Sequence, residues 1–205
     1  VIGGFTLSTA DRRGIGALLP RVDVKVLRTG DHPLDRKSIR NPFAAFGRQA
    51  QSRRSAVGGE LTITSRCPRT VMDVCSASYR LRVPDNVRVN VRTSSGRVTI
   101  TGLNGSARVT TGSGDVSLSG FCGFTLVVTS ASGDVNGAAD CSPDRIELRS
   151  GSGDVHAVVP GGRYRIDAHS DAGTDRVRGL TVADDASFTV QALSGSGNVT
   201  VESAP

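Results

Sequence analysis

A short turn motif recurs at a nearly constant interval through most of this chain, and few folds accommodate that. The segments Ser95-Gly96-Arg97-Val98, Ser113-Gly114-Asp115-Val116, Ser132-Gly133-Asp134-Val135, Ser152-Gly153-Asp154-Val155, Ala172-Gly173-Thr174 and Ser196-Gly197-Asn198-Val199 space their glycines 18, 19, 20, 20 and 24 residues apart. Such a repeat governs the whole fold. Two strands of about five residues with their turns fill one period. The period is too short for a βαβ unit and too regular for an immunoglobulin-type sandwich.

Alignment on the glycines exposes a second regularity. Five residues before them stand Val91, Val109, Val128, Leu148, Ala168 and Ala192, and seven before stand Val89, Ala107, Leu126, Ile146, Ile166 and Val190. Two after them come Val98, Val116, Val135, Val155 and Val199, while the fifth repeat places Asp175 there and resumes at Val177. Polar residues such as Arg92, Arg108, Glu147 and Asp167 alternate with these, the period of a half-buried strand. The expected fold is all-β: a single-domain right-handed parallel β-solenoid (β-helix) of about six rungs, stacked at about 4.8 Å. With 37% hydrophobic but only 4% aromatic residues, its core must be built from Val, Ile, Leu and Ala.

Each turn carries its own chemistry. Glycine takes the positive φ that reverses the path, and the flanking Ser and Asp hydrogen-bond nearby amides. Thr93, Thr111, Ser130, Ser150, Ser170 and Ser194, each three before a turn glycine, would stack as a structural hydroxyl ladder. Asp115, Asp134 and Asp154 would stack likewise, with Arg97 one rung earlier relieving the column's charge. Turn chemistry explains this column; a calcium reading would need the nine-residue, acid-richer units of β-rolls. Whether the column binds a cation stays open at this point.

The four cysteines admit three pairings. Cys122 and Cys141 lie 19 apart, one rung period, and each follows its Gly-Asp turn by eight residues. Stacked rungs bring such positions within disulfide range. Cys67 and Cys75 bracket a short loop and form the natural second pair. Two disulfides imply an oxidising compartment, hence export. The zinc alternative lacks any CxxC spacing.

The Ser-Gly-Asp-Val repeats, following Cys67 to Cys75 and the stretch Tyr79-Arg-Leu-Arg-Val-Pro-Asp-Asn-Val, resemble the DUF4097 family of bacterial adhesin-like proteins. The resemblance covers about residues 60 to 201. It implies a β-helical cell-surface domain, often joined to a membrane anchor, and carries over no catalytic residues.

The N-terminal part reads as residues 1–19, a tail, and 20–92, strands and cap continuous with the repeats of 93–205. Val1 to Leu7 fits either the trailing end of a signal or membrane helix or a frayed, partly apolar terminus; seven residues do not span a bilayer. Arg21 to Leu27 and Glu60 to Thr64 alternate as strands that would cap the first rung. Between them, residues 29–57 read as a long basic insertion, with a short helix around Pro42 to Gln51. The charge of +6 is local: residues 1–57 hold eleven Lys or Arg against four Asp, and the remainder fourteen against fifteen. Arg36, Lys37, Arg40, Arg48, Arg53 and Arg54, with Phe43 and Phe46 three apart, make the candidate docking segment for a protein partner or an anionic lipid surface. A solvated loop is the plainer reading. Export argues against nucleic acid as physiological partner.

His32, His156 and His169 adjoin no nucleophile motif, and the sequence holds no GxSxG, HExxH or P-loop. No cofactor is implied. The expected function is a non-catalytic, exported adhesion or scaffold module, an accessory to a membrane protein complex. A polysaccharide-active β-helix enzyme is the alternative, since the fold also supports such chemistry.

Overall fold

The computed structural model describes residues 3–10, 21–28, 51–57, 60–66, 76–83 and 87–205, with side chains described from residue 87 onward and at Leu81 and Val83. Five strands precede the repeats: β1 (Gly3–Ala10), β2 (Arg21–Arg28), β3 (Gln51–Val57), β4 (Glu60–Arg66) and β5 (Ser76–Val83). The repeats then supply β6 (Val87–Ser95), β7 (Arg97–Thr101), β8 (Ser106–Ser113), β9 (Val116–Phe121), β10 (Thr125–Ser132), β11 (Val135–Ala139), β12 (Arg145–Ser150) and β13 (Val155–Val159). They end with β14 (Arg163–Ser170), β15 (Asp175–Arg178), β16 (Thr181–Val182), β17 (Thr189–Ser194) and β18 (Val199–Ser203).

The described residues contain no helix, and the strands form a β-solenoid of six rungs. Each rung sends its first strand to a ten-stranded sheet and its second to an eight-stranded one, and the core lies between. Pairing within the repeats is parallel, with Val91 beside Val109, Val109 beside Val128 and Val128 beside Leu148. All four are fully buried. The alternation read from the sequence is the burial pattern: β6 runs buried and outward by turns along its whole length. Branched side chains suit this geometry, because χ1-restricted residues pack well on a pleated surface.

The rungs do not stack in chain order. The final rung, β17–β18, inserts between β12–β13 and β14–β15, so that β12 pairs with β17 and β14 lies beyond it. The inward residues account for this order. Val190, Ala192, Val199 and Val201 of the final rung are completely buried. The fifth repeat has Asp175 in register with Val199, and its Ile166 and Ala168 are only partly buried. A rung with an acidic inward position is cheapest at the end of the stack, where that position stays wet. Val177 does resume the register, opposite Val201, but remains 39% exposed at this edge.

The segment after β15 closes that end. Leu180 and Phe188 pack on the core, and the Phe188 ring lies 6.0 Å from that of buried Tyr164. The Tyr164 hydroxyl donates to the Pro160 carbonyl at 2.9 Å and meets Ser142 Oγ at 3.0 Å, so its polar tip is satisfied.

At the opposite end, both sheets continue through antiparallel strands. β2 pairs with β6 and then β4 and β3 follow; β1 pairs with β7 and then β5 follows. Two expectations are corrected here. Residues 3–10, read as part of a tail, are a strand held between β5 and β7. Residues 51–57, read as the end of a loop, are the edge strand of the ten-stranded sheet. Phe5 and Leu7 fall in register with Ile100 and Val98.

Candidate functional site

The recurring polar residues come together in two inter-rung ladders. In the first, the hydroxyls at Thr93, Thr111, Ser130, Ser150, Ser194 and Ser170 are all buried, at 2% to 7% exposure. Ser150 Oγ donates to the Gly133 carbonyl at 2.8 Å and accepts from its own turn amide, Gly153 N, at 2.9 Å. Ser194 and Ser170 repeat this with the Gly153 and Gly197 carbonyls and the Gly197 and Gly173 amides. Ser150, Ser194 and Ser170 thus each tie one turn to a neighbouring rung, whereas Thr93 donates locally to the Ser95 carbonyl and Thr111 and Ser130 bridge nothing.

The second ladder is the acidic column. Asp134 N donates to Asp115 Oδ1 at 3.3 Å, Asp154 N to Asp134 Oδ1 at 2.9 Å, and Asn198 N to Asp154 Oδ1 at 2.7 Å. Thr174 N then reaches Asn198 Oδ1 at 3.2 Å. Every carboxylate caps the amide of the rung beyond it, which explains an Asp or Asn at this position without invoking a ligand. Arg97 pairs with Asp115 at 3.4 Å, as its place in the column predicts. Among the described residues no group of three or more His, Cys, Asp or Glu is arranged to hold a metal.

Cys122 and Cys141 form a disulfide with a Cα–Cα distance of 4.8 Å, the rung spacing. Cys67 and Cys75 lie outside the described residues, as do Arg36, Lys37, Arg40, Phe43, Phe46 and Arg48. Arg53 and Arg54 fall on β3, opposite Thr64 and Ile63 respectively.

Of the histidines with described side chains, His156 Nε2 meets Glu202 Oε1 at 2.9 Å across β13 and β18. His169 lies 3.3 Å from Asp171 and 3.6 Å from Asp175 on the terminal rung, and all three side chains are at least 40% exposed. They sit on open surface, without the water-excluding walls that make such pairs effective in catalysis.

The outer face of the ten-stranded sheet is divided. Toward the C-terminal end its arginines are held: Arg145 and Arg149 both pair with Glu147 at 2.9 Å, Arg149 donates to Gln191, and Gln191 donates to Asp167. Arg165 donates to the Asp184 carbonyl, and Arg163 pairs with Asp185 at 2.8 Å. On β6 and β8, Arg88, Arg92 and Arg108 are exposed, and no ion pair or hydrogen bond reaches them among the described residues. Sequence reasoning singled out the basic segment and overlooked these three. Their signal was present, since Arg88, Arg92 and Arg108 all occupy outward places in the alternation.

Comparison with curated proteins and with solved structures found no match. A family model, described as Toastrack DUF4097, matches residues 85–202, which begins at the first rung and ends within β18. That span is more than half of the chain and coincides with the solenoid. The protein therefore belongs to the DUF4097, or Toastrack, family.

Proposed function

We propose that this protein is a non-catalytic scaffold or binding module, displayed at the outer face of a cell membrane and joined through its basic segment to a protein partner within a membrane complex. The observation that carries the non-catalytic reading is where the repeated polar side chains go. Ser150, Ser194 and Ser170 bridge turns, and Asp115, Asp134 and Asp154 cap amides, so the residues that recur with chemical potential serve the stack itself. Export is supported by the Cys122–Cys141 bond, since structural disulfides persist in oxidising compartments. Adhesion is the same reading applied to a partner on another surface.

The test follows from the strand boundaries. β2 ends at Arg28 and β3 begins at Gln51, so residues 33–50 can be replaced by a short Gly-Ser linker with both strands kept. The variant should lose retention on membranes while its far-UV circular dichroism stays unchanged. Equal retention of variant and intact protein would overturn docking through this segment.

A further inference from the structure

We propose that the outer face of β6 and β8 is a binding site for an extended acidic peptide with carboxylates at alternate positions. The proposal rests on reading the protein as a binding module, and it supplies the chemistry of one partner.

Arg88 and Arg92 stand four residues apart on β6, which separates their Cα atoms by about 13 Å. Arg108 on β8 is in register with Asn90, midway between them and one strand over. On the other side of Asn90 the register places Lys25 of β2. Four cationic positions thus surround one amide residue, with Asp23, opposite Arg92, the acidic position adjoining them. The three arginines have no partner among the described residues, although arginines two to five strands away on the same sheet are held by carboxylates, an amide and a backbone carbonyl. A planar guanidinium takes a carboxylate in a two-point fork, the strongest arrangement open to an exposed arginine.

The spacing selects the partner. In an extended peptide every second side chain projects from the same face, about 6.6 Å from the last. A peptide lying along β6 would bring successive carboxylates over Arg88, over Asn90 with Arg108 beside it, and over Arg92. The surface beneath is low: Asn90, Ser94, Ser106 and Thr110 are half-exposed outward residues there. A lipid bilayer fits less well. Beyond β10 the same face carries Glu147 and Asp167, which a flat anionic surface would also meet. No described outward residue of β6 or β8 is apolar, so nothing on those strands inserts among acyl chains.

Fluorescence anisotropy with a labelled Glu-Ser alternating octapeptide provides the test, run beside an isomer with its four glutamates contiguous. Wild-type protein should bind the alternating peptide more tightly than the isomer, with affinity falling as salt rises. R88S/R92S/R108S should weaken that binding about tenfold or more, as three exposed ion pairs of ordinary strength would. R145S/R149S, on the held half of the face, should leave it unchanged. Equal binding by the triple variant and wild type, or no preference between the two peptides, would overturn the proposal. Binding to phosphatidylglycerol vesicles without peptide binding would overturn it in favour of a lipid surface. The variant lacking residues 33–50 should bind the peptide normally even where it loses membrane retention, which separates the two sites. Loss of peptide binding in that variant would move the site to the basic segment and overturn its assignment to β6 and β8.

Discussion

The first three rungs, β6 to β11, and the last three, β12 to β18, are built on the same recurring turn glycine and hold their turns differently. In the first group the turn glycines have left-handed φ, 134° at Gly133. Their ladder hydroxyls do not bridge rungs: Thr93 donates locally to the Ser95 carbonyl, and Thr111 Oγ1 and Ser130 Oγ have no hydrogen-bond partner. In the second group the glycines fall outside that φ range, and Ser150, Ser194 and Ser170 each tie two turns together. The first group instead carries the disulfide, between the end of its second rung and the end of its third. The difference teaches that a repeated Ser-Gly-Asp does not prescribe one turn. What all rungs share is closeness: a Cβ on Gly114 would lie 2.3 Å from the Gly96 carbonyl oxygen, and one on Gly153 would lie 2.2 Å from that of Gly133.

The sharpest test of this shared closeness is Gly153→Ala, where φ asks nothing of glycine but backbone blocks the added methyl on three atoms within 2.9 Å. Because the obstacle is main chain, the rungs must separate, and the expected loss is about 3 kcal/mol or more by urea denaturation. A loss below about 1 kcal/mol would mean the turns have slack and would dissolve the unifying feature.

Next in size is the covalent tie of the first group. C122S/C141S opens a loop of 19 residues and should cost about 2 to 3 kcal/mol. Peptide mapping without reduction should recover both cysteines in one linked fragment. Two free thiols in protein prepared without reductant would remove the bond from the comparison.

The hydroxyl ladder separates the two groups directly. Ser150→Ala leaves the Gly133 carbonyl and the Gly153 amide without their partner and should cost about 1 to 3 kcal/mol. Ser130→Ala removes a buried hydroxyl that bonds to nothing and should be neutral or slightly stabilising. Equal losses in the two variants would show that the groups are held alike.

The smallest effect isolates conformation from contact. Gly102 has φ of 62° and open space where a Cβ would go, so Gly102→Ala should cost only the left-handed penalty of about 1 kcal/mol. If Gly102→Ala proved worse than Gly153→Ala in thermal denaturation, backbone conformation rather than inter-rung approach would govern these glycines.

Much of this was legible in the residues. The inward rows from Val89 to Val190, from Val91 to Ala192 and from Val98 to Val199, the buried hydroxyls and the Cys122–Cys141 pair follow from a fixed period and from alternation, which are local properties of the chain. The candidate site was less legible. Arg88 and Arg108 look unrelated along the chain until pairing sets them on adjacent strands.

The sequence by itself determined which side of each strand faces the core, because side-chain direction alternates with every residue regardless of neighbours. It also determined the rung height at which two cysteines meet. Only the tertiary structure decided which rung lies beside which. Every repeat offers nearly the same inward pair, so local pattern cannot rank the possible partners. The choice rests on burying Val190, Ala192, Val199 and Val201 completely while leaving the rung with Asp175 at the end. The same holds for the glycines: their necessity can be read from the chain, but at Gly153 its cause is a carbonyl oxygen contributed by another rung. Contacts between segments distant in sequence depend on the packed whole, and no window of residues contains them.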